Sequence, residues 1–216
     1  SIIVKALLER NDFVSKEDIE DLVLGCAFPE GPQGMLLGRA VSLLAGIPKE
    51  SCAKVVNRFC GSSMDSVHQI CQAIISGDIE TGIAAGVEDM FAVPMGGFAP
   101  SFNPTLYEQE FYIGMGETAE NLANDLNISR EDQDLFAISS HKKALNAWED
   151  GRFDNEVVPI EFNGSIISKD ECPRVPDENK VKSLDPAFVE NGSVTAASSS
   201  PISLGASALL LMSNIK

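Results

Sequence analysis

Histidine is nearly missing from this chain: His68 and His141 are the only two in 216 residues. That leaves little material for a histidine-based metal site. The five cysteines (Cys26, Cys52, Cys60, Cys71 and Cys172) are odd in number, and no pair has Cys-x-x-Cys spacing. Zinc and redox motifs are therefore disfavoured, and free thiols in a reducing compartment are the default. Positive charge is short as well: 16 Lys and Arg stand against 32 Asp and Glu, a net charge of −16. A nucleic-acid partner would want a basic face and an anionic membrane a polybasic one, so neither is expected. No apolar run reaches the ~18–20 residues of a membrane span. The amphipathic opening, Ser1 to Arg10, is not followed by a small-residue cleavage site and does not read as a signal peptide.

What is present is the composition of a globular chain with a sizeable core, 44% hydrophobic and 22% charged. Ile2 to Leu8 read as helix, and Ser15 caps a short turn leading to Ile19. Asp21 to Phe28 read as a buried strand closed by Pro29 and Gly31. Met35 to Ala45 have helical spacing, with Gly46 and Pro48 as stops. Ala53 to Phe59 form the next strand. Met64, Val67, Ile70, Cys71, Ile74 and Ile75 then recur at i, i+3, i+4 spacing, a helix ended by Gly77. Thr81 to Met90 read as a small-residue strand that comes close to other backbone. The alternation of strand and helix is the signature of a layered α/β core.

From Phe91 the character changes, with Pro94, Gly96, Gly97, Pro100 and Pro104 marking irregular chain. Thr118 is expected to cap a helix through Leu126. Ser129 and Asp132 open a longer helix that stops at Gly151, with His141 on its solvated face. Glu156 to Phe162 have strand propensity, and Ala206 to Met212 read as a closing apolar strand. The expected organisation is a core over residues 1–90, an inserted loop subdomain over 91–190 and a return to the core over 191–216.

The chemistry-bearing segment is Asn57-Arg58-Phe59-Cys60-Gly61-Ser62-Ser63-Met64. A β-branched run ends on one cysteine, and small residues follow before a helix begins. Most cysteines are small buried hydrophobes. A cysteine at a strand-to-helix turn differs, because the positive end of a helix favours the thiolate, the reactive form. Gly61, Ser62 and Ser63 keep bulk low enough for a carbonyl to approach.

The order of motifs resembles the amino-terminal half of the thiolase family. Matching pieces include Gly25-Cys26-Ala27-Phe28, Gly34 to Gly46, the Cys60 segment, Ala85-Gly86-Val87-Glu88-Asp89-Met90, Met115-Gly116-Glu117-Thr118-Ala119-Glu120-Asn121, Asp150-Gly151-Arg152-Phe153, Asp170-Glu171-Cys172-Pro173-Arg174 and Val194-Thr195-Ala196. The Cys-Gly-Ser-Ser-Met form is most like the fatty-acid-degrading 3-ketoacyl-CoA thiolases. The resemblance implies a mixed sheet flanked by helices, carrying an inserted loop subdomain. It implies an acyl-CoA C-acyltransferase, working by thiolytic cleavage or the reverse Claisen condensation through an acyl-cysteine. In that chemistry Cys60 is the nucleophile and Gly61 supplies backbone N–H support beside it. Met115 lines the acyl pocket, Arg174 lies near the nucleotide end of CoA, and Ala196 and Ser200 touch the pantetheine arm. CoA is a substrate, and no metal or redox cofactor is implied. The family pairs as dimers through strands beside the nucleophile, so a homodimer or tetramer is implied, with Gln33 to Arg39 contributing. The compartment implied is cytoplasmic, or mitochondrial or peroxisomal in a eukaryote.

The chain also departs from the family. Its Asn-Glu-Ala-Phe, Gly-His-Pro and Cys-x-Gly segments belong to the carboxy-terminal half and do not occur in these residues. The chain begins after the family's first strand, so the sheet is expected to lack that element. Leu204 stands where the family has an Asp, and Ala197-Ser198-Ser199-Ser200 where it usually has Gly-Asn-Ala-Ser. One alternative is therefore a truncated, catalytically incompetent fragment that binds acyl-CoA weakly or acts only in assembly. Another is a ketoacyl synthase relative using carrier-protein thioesters, against which the Met115 and Asp170-to-Arg174 matches speak.

Overall fold

A four-stranded sheet organises the first part of the chain. In the computed structural model, which describes residues 1–214, two compact units separate: Ser1–Pro100 with the chain from Ile202 onward, and Ser101–Pro201. The final two residues of the expected 191–216 segment lie outside the described residues.

In the first unit, β1 (Asp21–Gly25) is central. It pairs in parallel with β2 (Cys52–Val56) on one side and β3 (Thr81–Asp89) on the other. The strand β6 (Leu204–Met212) closes the sheet antiparallel to β3. Leu22, Val23 and Leu24 are all buried, because a central parallel strand is covered on both faces and so reads as a continuous apolar run. Leu22 and Leu24 join Val4, Leu8, Ala45 and Ile83 in one core, beneath α1 (Ile2–Arg10) and α2 (Leu37–Ala45). Val23 and Ala84 meet Ile70 in a second core, beneath α3 (Ser62–Ser76). Ser15 caps its short turn as expected, with Asp18 completing the reciprocal capping bonds.

β3 stops at Asp89, one residue short of its expected end, and β6 begins at Leu204, two residues early; three further boundaries differ from the sequence pattern for a local reason. The strand expected to reach Phe28 ends at Gly25, since the Ala27 N–H leaves the ladder and donates to the Glu88 carboxylate at 2.6 Å. The helix expected from Met35 starts at Leu37, because Met35 and Leu36 adopt left-handed φ of 52° and 56°. The strand expected to reach Phe59 stops at Val56, where Asn57 begins a turn. Gly46 and Gly77 end α2 and α3 with φ of 85° and 79°, the left-handed C-cap that glycine accepts without a Cβ penalty.

The second unit is built on α5 (Met115–Asp125) and α6 (Arg130–Glu149), with short helices α4 (Pro104–Glu108) and α7 (Glu178–Lys182). Helix α6 opens on Ser129 with the expected capping box. Thr118 does not cap α5. Gly114 is the cap, its N–H donates to the Glu117 carboxylate at 3.1 Å, and Thr118 sits in the first turn bonded back to the Gly114 carbonyl. Only Ile160–Phe162 of the expected strand forms, as β4. It pairs antiparallel with β5 (Ser165–Ile167) across Asn163-Gly164, both at positive φ, the turn chemistry of a tight hairpin. Among the described residues no helix is long and apolar enough to cross a membrane.

Candidate active site

Cys60 lies between the end of β2 and the start of α3, exposed, one residue before the helix N-cap Gly61. The turn that holds it is fixed from within. The Asn57 side chain donates to the Ala27 carbonyl at 2.9 Å and accepts the Phe59 N–H at 2.9 Å. The Ser62 hydroxyl accepts the Arg58 N–H at 2.9 Å and donates to the Phe59 carbonyl at 2.6 Å. Phe59 is held at φ 45°, a conformation that costs a non-glycine residue about 1 kcal/mol or more and persists only when its surroundings impose it. Arg58 pairs with Asp65 at 3.0 Å, joining the turn to the first turn of α3.

Helix α3 reaches this position because two strands make room for it. A Cβ on Gly25 would run into the backbone of Ser62 and Ser63, and one on Gly86 would run into the Ser63 side chain. Ser66, fully buried, donates to the Ala85 carbonyl at 3.0 Å and anchors the next turn on β3. At the same end of the sheet, Glu88 accepts from Ala27 N–H and from Gln33 Nε2 at 2.8 Å, while Gln33 accepts the Asp89 N–H at 2.7 Å.

Cys26 follows β1 directly and is buried. Burial, and next the Glu88 carboxylate, push its thiol up to about 11. A thiol so placed stays protonated near neutral pH and is a poor nucleophile. Cys60 is exposed on the turn before α3.

The other residues singled out in the sequence fall in the second unit. Met115 is the first residue of α5 and is 62% exposed. Arg174 and Ala196 are brought together on one cavity of about 210 Å³, also lined by His141 and Cys172. Ser200 is exposed beside two lining residues, Ser199 and Pro201. His141 is not solvated as its helical position suggested. It is half-buried, and its Nδ1 accepts the Arg174 N–H at 3.3 Å. Sequence reasoning also passed over Glu120. Its carboxylate is 5% exposed and accepts from Ser193 N–H, Ser193 Oγ and Val194 N–H. No local pattern in α5 marks it, because its partners lie 73 and 74 positions away. No group of three or more His, Cys, Asp or Glu is placed to hold a metal among the described residues.

The fold and this turn define a layered α/β protein with an exposed cysteine at a strand-to-helix junction. The chain belongs to the thiolase family: the family described as "Thiolase, N-terminal domain" matches residues 1–215. It is 39% identical over 232 residues to a 3-ketoacyl-CoA thiolase of Bacillus subtilis, covering 100% of this chain and 59% of that protein. It is 43% identical over 221 residues to a 3-ketoacyl-CoA thiolase of a Marinomonas species, covering 98% and 56%. Among solved structures it resembles human mitochondrial 3-ketoacyl-CoA thiolase in complex with CoA, with a TM-score of 0.89 and 30% identity, over 99% of this chain and 58% of that one. A thiolase from Ascaris suum in complex with coenzyme A gives a TM-score of 0.86 at 30% identity, over 99% and 59%. The chain thus spans well under two thirds of the relatives it matches.

Proposed function

We propose that this chain carries the nucleophile-bearing half of an acyl-CoA C-acyltransferase acting on 3-ketoacyl-CoA. The observation that supports this best is Cys60, exposed on an internally bonded turn at the start of a 15-residue helix, in a chain related to 3-ketoacyl-CoA thiolases. The Cys60 sulfur attacks the 3-keto carbonyl, the C2–C3 bond breaks, and C2 takes a proton and leaves as acetyl-CoA. The thiol of a second CoA then takes the acyl group from sulfur, restoring Cys60, in a ping-pong sequence. Run backwards, the same steps are the Claisen condensation.

In this reading the Gly61 backbone supports the reacting centre and Met115 borders the acyl chain. Arg174 lies at the nucleotide end of CoA, with Ala196 and Ser200 along its pantetheine arm. A homodimer or tetramer is the proposed assembly, with Gln33 to Arg39 at its interface. A compartment that keeps thiols reduced, such as the cytoplasm, suits its five free cysteines.

Intact mass after exposure to acetoacetyl-CoA tests the proposal. One acetyl increment that disappears in Cys60→Ala is expected. No increment overturns the nucleophile assignment. Acetyl transfer from the labelled protein to added CoA separates a working enzyme from an arrested acyl-cysteine.

A further inference from the structure

Glu120 lies on α5 five residues after Met115, buried, and its charge is met by hydrogen-bond donors from one distant segment. Its Oε1 accepts from Ser193 N–H at 2.9 Å and Val194 N–H at 2.7 Å, and its Oε2 accepts from Ser193 Oγ at 3.0 Å. Gln133 donates to Ser193 Oγ at 2.9 Å, so the hydroxyl proton is directed at Glu120. Gly192 completes the fit, because a Cβ there would meet the Glu120 carboxylate, its Cδ at 2.8 Å.

The segment held in this way does not end at Val194. Thr195, fully buried, accepts from Ser199 Oγ at 2.7 Å and Ser198 N–H at 3.2 Å through its carbonyl, and from Ala197 N–H at 3.2 Å through its hydroxyl. The result is a closed turn whose start is fixed by Glu120. That turn presents Ala196, Ala197 and Ser199 to the cavity shared with Arg174.

We infer that Glu120 is a positioning residue for acyl-CoA: one buried carboxylate locks the helix that begins at Met115 to the turn that carries Ala196. The inference rests on the proposed reading that these two places touch substrate. A carboxylate is required by the chemistry of the contact. Glutamine offers one acceptor oxygen, and an NH₂ in place of Oε2 would face the Ser193 N–H, which lies 2.9 Å from that oxygen, and the Ser193 hydroxyl, which would have to turn its proton away.

The test titrates CoA into the full chain, into E120Q and into S193A, and measures the rate of Cys60 alkylation by iodoacetamide in each. E120Q is expected to weaken CoA about tenfold, as loss of a charge-assisted contact does. S193A is expected to weaken it by a smaller factor, and Cys60 alkylation stays unchanged in both. A role confined to folding would lower the melting temperature and leave CoA affinity of the folded protein as it was; that result overturns the inference while the CoA reading stands. Failure of the unaltered chain to bind CoA overturns both together. Should E120Q not fold, S193A binding CoA like the unaltered chain overturns the inference.

Discussion

Gly25 and Gly86 face each other across the parallel pairing of β1 and β3, and both lie beneath the first turn of α3. This pair of missing side chains lets the helix descend far enough to set Cys60 where it is. The two positions are not equivalent. A side chain at 25 meets backbone, which cannot move without moving the helix, whereas one at 86 meets only the Ser63 side chain. Gly25→Ala should therefore cost more, about 1–3 kcal/mol as for other overpacked sites, and slow Cys60 alkylation. Adding Ser63→Gly should restore Gly86→Ala and leave Gly25→Ala unrepaired. Urea unfolding and iodoacetamide kinetics on the single and paired variants check both statements.

The two cysteines nearest this end of the sheet should separate by reactivity. Cys26, pushed up to about 11 by burial and by Glu88, should resist alkylation at pH 8 while Cys60 reacts. The same shift has a consequence for stability. A thiol whose folded value lies above its unfolded one stabilises the fold fully below the unfolded value of 9.0 and loses that contribution as pH rises toward 11. Cys26→Ala should flatten the stability profile between pH 9 and 11, read by urea midpoints. A slope unchanged by the substitution would assign the alkaline loss to other groups.

Much of the first unit was legible in the sequence because its elements are set by strong local signals. The apolar run Leu22-Val23-Leu24, the i, i+3, i+4 pattern of α3 and the glycines after α2 and α3 each name their structure directly. The small residues of β3 pointed to a close backbone approach, but what Gly86 meets is the Ser63 side chain, and the close approach to backbone is at Gly25 on β1. What stayed hidden depends on contacts between residues far apart in the chain. Nothing near Ala27 shows that its N–H will leave the ladder for Glu88, 61 positions on. The same holds for Glu120, whose partners lie 73 and 74 positions away. Helices α4 and α7 have five residues each, too short to show a periodicity. The left-handed Met35 and Leu36 carry no glycine to announce them.

Glu120 gives the second unit an acid-sensitive joint. Burial raises its carboxyl, and the donors from Ser193 and Val194 more than reverse this, so the net value is lowered from 4.5. A carboxyl lowered by folding stabilises the protein above its unfolded value and loses that contribution as pH falls through the folded one. Stability should decline below about pH 4.5, with the Ser193 and Val194 amides losing hydrogen-exchange protection first. E120Q should start less stable at pH 7 and show a shallower acid decline. If protection at these two amides is insensitive to pH in the unaltered chain, the carboxylate is not what holds them.

The turn around Cys60 makes the last prediction, because its clasp has two parts of different kind. Asn57 ties the turn to Ala27 and also caps its own turn at the Phe59 N–H. Ser62 bonds both the Arg58 N–H and the Phe59 carbonyl. Each hydrogen bond is worth about 0.5–1.5 kcal/mol net, comparable to the strain of holding Phe59 at φ 45°. Ser62→Ala should therefore let Phe59 relax and move Cys60, with a loss of about 1 kcal/mol in stability and a disproportionate fall in its acylation by acetoacetyl-CoA. Phe59→Gly removes the strain without touching the clasp. It should leave acylation nearer the unaltered rate, and in combination with Ser62→Ala it should show whether the clasp acts through Phe59. Arg58→Ala removes an exposed guanidinium from Asp65, which keeps its hydrogen bond from Gln69, and should change stability by less than about 1 kcal/mol. Equal loss of acylation in Arg58→Ala and Ser62→Ala would mean that the guanidinium, and not the internal bonding of the turn, governs the cysteine.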